Sequence, residues 1–160
     1  MTDQAEIERK FWRALRSDMT VMLGLKGAGH AQPMTAQFDK DVPGNTLWFF
    51  TSKESDLVHA LDAQHAAIAH FASKGHDLFA AIDGELALDN DRATIERLWN
   101  PYVDAWFEGG KNDPKVALLR FVPANAQIWL NDHSFLAGVK LLLGRDPKEE
   151  YKDKVAEVRL

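Results

Sequence analysis

Residues 45–61 read NTLWFFTSKESDLVHAL and join two patterns of opposite character. The apolar run at 47–50 is typical of a buried strand, and we predict a strand over residues 46–51. Apolar positions at helical spacing follow it and predict a short helix over residues 55–64. Between the two lies a polar cluster of three hydroxyls and two charged groups, namely Thr51, Ser52, Lys53, Glu54 and Ser55.

That polar cluster is well suited to hold a phosphate. A helix N-terminus carries unpaired backbone N–H groups and the positive end of the helix dipole. With Ser55 as the N-cap, the three hydroxyls of the cluster and the ammonium of Lys53 would point at one spot. In the simpler interpretation, Ser55 only caps the helix and Lys53 is solvated. Both interpretations are open at this point.

Short strands joined by tight turns lie on both sides of this stretch. The predicted strands span 20–25, 31–39, 66–71, 78–88, 116–122 and 126–130, and the predicted helices span 4–17, about 90–99 and a short apolar segment after Ser134. Gly84 is expected to bend its strand, as a closing barrel requires. We expect Pro123-Ala124-Asn125 to form a turn between the last two strands. The pattern predicts a β-dominated (α+β) fold built on a small antiparallel barrel with peripheral helices.

Composition excludes several classes of protein. The chain has 160 residues, 46% of them hydrophobic, a net charge of −5 and no cysteine. Disulfides, zinc–thiolate sites and thiol nucleophiles are therefore excluded. Nucleic-acid binding needs clustered Lys and Arg, so we expect no nucleic-acid partner. The acidic, polar start and the absence of an apolar stretch near the roughly 20 residues of a membrane span predict a cytoplasmic protein without membrane contact.

Motifs for other cofactors are weak or missing. The chain has neither a GxGxxG after a strand nor a GxxxxGK[ST] loop. His65 and His70 are five residues apart, a spacing that puts them on different sides of a strand or a helix and so disfavours a shared metal ion. A haem group would need one axial histidine, which any of the six histidines could supply. No nucleophile elbow indicates a hydrolase.

Three ordered motifs resemble the general stress protein branch of the pyridoxamine 5′-phosphate oxidase-like family. They are QPMTAQ at 32–37, LWFFTSKES at 47–55 and DRATIERLWNPYVDAWFEGGKNDPKVALLRFVPANAQIWLND at 91–132. The resemblance covers about residues 5–132 and implies an FMN-binding antiparallel split β-barrel. It further implies a homodimer with flavin at the subunit interface. On this interpretation residues 1–145 form the single domain and residues 146–160 form a charged, solvated tail.

The resemblance also implies which residues contact FMN. Met34 and Gln37 would lie along the isoalloxazine ring. Phe50 and Thr51 would support the ribityl–phosphate side, and Ser52, Lys53 and Ser55 would hold the phosphate. Trp106 and Trp129 would shield the flavin or lie at the dimer face, and the alternative for both is a place in the core.

Four positions depart from the family pattern, which usually has basic residues there: His30, Gln32, Asp56 and Leu57. Each lost charge-assisted hydrogen bond is worth about 1.5–3 kcal/mol, or roughly one to two decades in affinity. A lysine at position 57 is therefore expected to tighten FMN binding.

These implications leave three functions open. The first is a flavin-dependent oxidoreductase that uses a small-molecule substrate or an electron donor such as a reduced deazaflavin or nicotinamide. Its redox chemistry comes from the flavin, so no catalytic residue is assigned to the chain. The second is a non-catalytic module that stores or senses flavin, and the third is a barrel for a hydrophobic ligand without flavin.

Overall fold

The computed structural model describes residues 3–61, 63–131 and 155–160. Its helices and strands follow in chain order: α1 Gln4–Asp18, β1 Thr20–Leu25, β2 Ala28–Thr35, β3 Leu47–Ser52, α2 Asp56–Ala60, β4 His65–Ala72, β5 Leu78–Leu88, α3 Arg92–Leu98, α4 Pro101–Asp104, a 3₁₀ turn at Gly110–Asn112, β6 Val116–Leu130 and β7 Val155–Arg159.

The seven strands form one antiparallel sheet that does not close on itself. Its strand order is β2-β1-β4-β5-β6-β3, and β7 pairs with β6. β2 and β3 are thus the two ends of the path, and a single backbone bridge between Gln37 and Trp48 connects them. We call the gap between β2 and β3 the split. The antiparallel split barrel with peripheral helices is confirmed.

The long strand β6 replaces the two strands predicted over 116–130. Its first part pairs with β3 and its last part with β7, while β5 runs along its other edge. The predicted turn at residues 123–125 is wrong. Asp83 pairs with Asn125 and Gly84 with Pro123, so Ala124 is an extra residue that makes a bulge. Proline is tolerated at such a bulge, which explains the turn-like sequence inside a strand.

Gly84 allows the two long strands to approach closely at this bulge. A Cβ at position 84 would lie 2.5 Å from the Val122 carbonyl oxygen and 2.7 Å from the Phe121 ring. No side chain larger than hydrogen fits without a shift of the backbone. The register shift between Asp83 and Gly84 marks an irregularity at this glycine, and the predicted bend of the strand stays a prediction.

Two apolar clusters hold the fold together. The main core lies inside the barrel and under α1, whose buried face carries Ile7, Phe11, Trp12 and Leu15 at helical spacing. The second cluster lies between α3 and the outer side of β3 and β6. It consists of Ile95, Leu98, Val116 and Leu118, with Trp48, Phe50, Trp99 and Phe107 packed against them.

Several predicted boundaries change. α2 has five residues instead of ten. The helix predicted over about 90–99 is α3, which begins at Arg92 after its N-cap Asp91, because the Asn90 side chain bonds the backbone of β6. Residues 155–159, which we expected in a solvated tail, form β7 and pair with β6. The helix predicted after Ser134 lies outside the described residues.

Candidate functional site

The split brings together the two groups of residues that the sequence assigned to a flavin. The Gln37 N–H donates to the Trp48 carbonyl at 2.8 Å, and the Trp48 N–H donates to the Gln37 carbonyl at 2.9 Å. Met34 lies three residues before this bridge on β2, and Phe50 lies two residues after it on β3. Both borders of the split therefore start at the bridge. The helix α2, which follows β3, lies close to β2 across the split.

The side chains of β3 alternate between two environments, as a strand requires. Phe50 is half-buried in the second apolar cluster, where its ring meets Trp99 edge-on at 5.5 Å. Thr51 is the next residue and therefore points to the opposite side of the sheet. Met34 is half-buried and packs against the main core. The structure thus places Phe50 and Thr51 on the same border of the split but not on the same face.

Hydroxyl groups cluster where β3 ends. Ser52 Oγ accepts a hydrogen bond from the Glu54 N–H at 3.1 Å, and Ser55 Oγ accepts one from the Val58 N–H at 3.3 Å. Each hydroxyl uses only an acceptor position in these bonds, so its proton remains a potential donor. Because α2 is only five residues long, the expected contribution of the helix dipole to this cluster is reduced.

Two lysines lie beside these hydroxyls. Lys53 is exposed, forms no ion pair with any residue that the structure describes, and donates its backbone N–H to the Lys115 carbonyl at 2.8 Å. The Lys115 ammonium lies 3.9 Å from the Glu54 carboxylate. Lys115 was missed in the sequence, because only the pairing of β3 with β6 brings it next to the cluster.

Asn100, also missed, connects the split to α4. Its Oδ1 accepts hydrogen bonds from the backbone N–H groups of Tyr102 at 3.0 Å and Val103 at 3.1 Å, which caps α4. Its Nδ2 donates to the Leu98 carbonyl at 3.1 Å and to Gln37 Oε1 at 3.3 Å. An asparagine before a proline is a recognisable cap signal, but nothing in the sequence indicates a contact 63 residues away.

An ion pair between the buried carboxylate of Asp39 and the partly exposed guanidinium of Arg97 fixes the segment that follows Gln37. Arg97 donates to the Asp39 carboxylate from Nη2 at 2.7 Å and from Nε at 3.1 Å, and Asp39 is buried. The hydrogen bonds from Arg97 lower the pKa of Asp39 below its usual value, and burial opposes this only in part. Residues 37–39 are therefore anchored to α3 as well as to β3.

The two tryptophans differ in their surroundings. Trp106 is 84% exposed and belongs to neither apolar cluster. Tyr102, one helical turn earlier, is 86% exposed. A core role for Trp106 is therefore wrong, and an exposed aromatic pair of this kind is typical of a surface that another molecule covers. Trp129 is half-buried on β6, where it pairs with Phe79 of β5 and Val155 of β7.

Leu57 does not face the polar cluster. It is 5% exposed and packs into the main core. A lysine at this position would have to bury its ammonium, which is unfavourable without a partner. A lysine at position 57 is therefore not expected to reach the phosphate or to tighten FMN binding. His30 and Asp56 are exposed, and Gln32 is half-buried.

Other candidate sites are poorly developed. Within the described ranges no group of three or more His, Asp or Glu side chains could hold a metal ion. His65 and His70 both lie on β4; His65 Nε2 is 3.1 Å from the Lys26 carbonyl, and His70 is exposed. In the same ranges, no helix is both long and apolar enough to cross a membrane.

The profile of the family described as "Pyridoxamine 5′-phosphate oxidase like" matches residues 6–146. The chain therefore belongs to the pyridoxamine 5′-phosphate oxidase-like family, as its motifs indicated.

Solved structures of general stress proteins are similar along most of the chain. A general stress family protein of Xanthomonas campestris pv. campestris is 58% identical, with 86% of this chain and 96% of that chain covered and a TM-score of 0.78. The general stress FMN/FAD binding protein of Xanthomonas citri is 57% identical, with coverages of 84% and 96% and a TM-score of 0.77. General stress protein 26 of Jannaschia sp. CCS1 is 33% identical, with coverages of 98% and 100% and a TM-score of 0.82.

A curated relative matches a shorter segment. Protein bli-3 of Neurospora crassa is 30% identical over 86 residues, which cover 48% of this chain and 41% of that protein. This chain thus matches less than half of the length of bli-3.

Proposed function

We propose that this chain binds FMN in the split between β2 and β3. The observation that carries the proposal is the Gln37–Trp48 bridge, from which both groups of expected flavin residues extend along facing borders. The X. citri protein, 57% identical and named for FMN/FAD binding, supports the same ligand class.

The residues at the split fit the parts of FMN. The hydroxyls of Thr51, Ser52 and Ser55 and the exposed ammonium of Lys53 suit a phosphate, for which hydroxyls and cations are the usual partners. On the other border, Met34 offers the flavin ring an apolar surface and Gln37 offers it an amide. Phe50 supports the β3 border of the split by packing against the second apolar cluster. Lys115 adds a second cation near the phosphate group, although Glu54 partly neutralises it.

A homodimer completes the proposed site. Tyr102 and Trp106 are both more than four-fifths exposed. On the outer side of β1 and β4, Met22, His70 and Ala72 are also exposed, and none of the three carries a fixed charge. Large exposed aromatics and uncharged sheet faces are typical of protein interfaces. A second copy of the chain is the proposed occupant, and Trp106 would then cover the flavin or contact the second subunit.

The proposed activity is oxidoreduction of a small organic molecule. Bound FMN would supply the redox chemistry, and the chain would bind the phosphate, orient the ring and limit access of water. The second candidate is a flavin-storage or sensing module, which the paucity of cationic phosphate ligands favours. The similar general stress proteins suggest a role under stress for either candidate.

Reduction kinetics separate the two candidates. FMN-loaded protein and free FMN at the same concentration would be mixed anaerobically with reduced nicotinamide or reduced deazaflavin. If the protein is an oxidoreductase, the donor should reduce bound FMN faster than free FMN. If it is a storage module, the donor should reduce bound FMN at the same rate as free FMN or more slowly.

The proposed homodimer is tested separately by light scattering. The FMN-loaded protein should have a mass of twice 18.0 kDa, and a monomer with full FMN affinity would contradict the interface proposal.

A further inference from the structure

Asn100 is held in one orientation by its own backbone contacts. Two backbone N–H groups, of Tyr102 and Val103, point at its side-chain oxygen at 3.0 and 3.1 Å. Only an oxygen can accept these bonds, so the amide nitrogen of Asn100 must point the other way. There it donates to the Leu98 carbonyl at 3.1 Å, which agrees with the same assignment.

The orientation of the Asn100 amide determines the orientation of the Gln37 amide. Asn100 Nδ2 is a donor only, and it lies 3.3 Å from the end of the Gln37 side chain. The Gln37 atom facing it must therefore be the acceptor Oε1. Consequently Nε2 is left to point away from Asn100, and among the described residues no acceptor engages it. The backbone of Gln37 is fixed as well, by its two bonds to Trp48.

We infer that Asn100 is a positioning residue that makes Gln37 present a hydrogen-bond donor to the flavin ring. This inference rests on the proposed function and assigns the chain a means of tuning the bound cofactor. Reduction increases the negative charge on the acceptor atoms of a flavin ring. A fixed N–H donor therefore binds reduced FMN more tightly than oxidised FMN and raises the reduction potential.

Two substitutions at position 100 separate this role from helix capping. Aspartate and serine cap helices about as well as asparagine, so Asn100→Asp and Asn100→Ser should both keep α4. Both lose the bond from Asn100 to the Leu98 carbonyl, so each should lower the melting temperature by a few degrees at most, on the order of one hydrogen bond. An aspartate has no donor, so Gln37 would turn to donate Nε2 to it and present Oε1 to the ring. A serine would release Gln37 without imposing either orientation.

The main readout is the midpoint potential of bound FMN. In Asn100→Asp, the ratio of the affinity for reduced FMN to the affinity for oxidised FMN should fall at least tenfold. For a two-electron couple this fall lowers the midpoint potential by about 30 mV. Asn100→Ser should give a smaller decrease. In a Gln37→Ala background the serine substitution should have no further effect, because Asn100 acts through Gln37. The carboxylate of Asn100→Asp also lowers the potential through its own charge, so the serine variant decides. A wild-type potential in Asn100→Ser, or an unchanged serine effect without Gln37, would overturn the inference.

A second readout needs no flavin. In ¹⁵N-labelled apoprotein, the side-chain amide signals of Gln37 are assigned by their loss in Gln37→Ala. Donation to a carboxylate should shift one Gln37 amide proton downfield in Asn100→Asp but not in Asn100→Ser. Identical Gln37 signals in all three proteins would contradict the proposed orientation. If wild-type protein binds no FMN, the proposed function fails, and this measurement still decides the hydrogen-bond inference.

Discussion

Replacement of Ser55 by aspartate should weaken FMN binding strongly while leaving the fold intact. Ser55 Oγ caps α2 by accepting the Val58 N–H at 3.3 Å. Aspartate and asparagine cap helices as well as serine does, so neither substitution should weaken α2. The two replacements have nearly the same size and differ by one negative charge. Their comparison therefore isolates the electrostatic effect of a carboxylate beside the proposed phosphate.

The expected size of this effect follows from Coulomb's law. A carboxylate about 5 Å from one phosphate charge, at an effective dielectric constant of about 20, costs about 3 kcal/mol. This corresponds to roughly a hundredfold weaker binding of FMN by Ser55→Asp than by Ser55→Asn. The difference should decrease as salt is added, because the site is partly open to solvent.

Titration of each apoprotein with FMN, followed by quenching of flavin fluorescence, gives the two affinities. Asp3→Asn is a matched control, because it also changes one negative charge at the N-cap of a helix. That helix is α1, which packs against β5, β6 and β7 and not against the end of β3. We expect it to leave FMN affinity within about threefold, since exposed charges farther apart than the Debye length are screened. Equal affinities for Ser55→Asp and Ser55→Asn would refute the assignment of the phosphate to this cluster.

Three further substitutions test the structural account. Leu57→Lys should destabilise the chain by about 2–5 kcal/mol through loss of a buried leucine, and tighter FMN binding with unchanged stability would contradict its core position. Gly84→Ala should cost about 1–3 kcal/mol, or roughly 2–4 °C of melting temperature per kcal/mol, because its Cβ would meet the Val122 carbonyl; an unchanged melting temperature would show that the bulge is loose. Asp39 has a lowered pKa, so its stabilising effect is present above pH 3.8 and lost as the pH falls below it. Urea unfolding between pH 6 and 3 should therefore show a flatter profile for Asp39→Asn than for wild type, and parallel profiles would disprove this contribution.

Local patterns in the sequence were sufficient for most of the fold. The apolar run at 47–50 and the turn signals around it predicted β3 and its neighbours, because hydrophobic periodicity and turn chemistry are local properties. The failures arise where long-range pairing overrides a local signal. Pro123 reads as a turn, yet the pairing of β6 with β5 accommodates it in a bulge. Residues 155–159 read as a charged tail, yet β6 offers them an edge on which to pair.

The same contrast between local patterns and long-range pairing applies to the residues of the candidate site. Ser52, Lys53 and Ser55 lie within four consecutive residues, so the sequence alone showed them as a cluster. Lys115 and Asn100 join the site only through strand pairing and the packing of α4, which no local pattern reveals.

Titration of the apoprotein in parallel with FMN, riboflavin and FAD tests whether the chain holds a flavin by its phosphate. Riboflavin lacks the phosphate and therefore measures the ring contacts without the hydroxyl and lysine cluster. We expect quenched fluorescence and one FMN bound per chain at micromolar concentration, and we expect riboflavin to bind at least tenfold more weakly. Equal affinities for FMN and riboflavin, or no binding of any of the three, would contradict a flavin phosphate held at the end of β3.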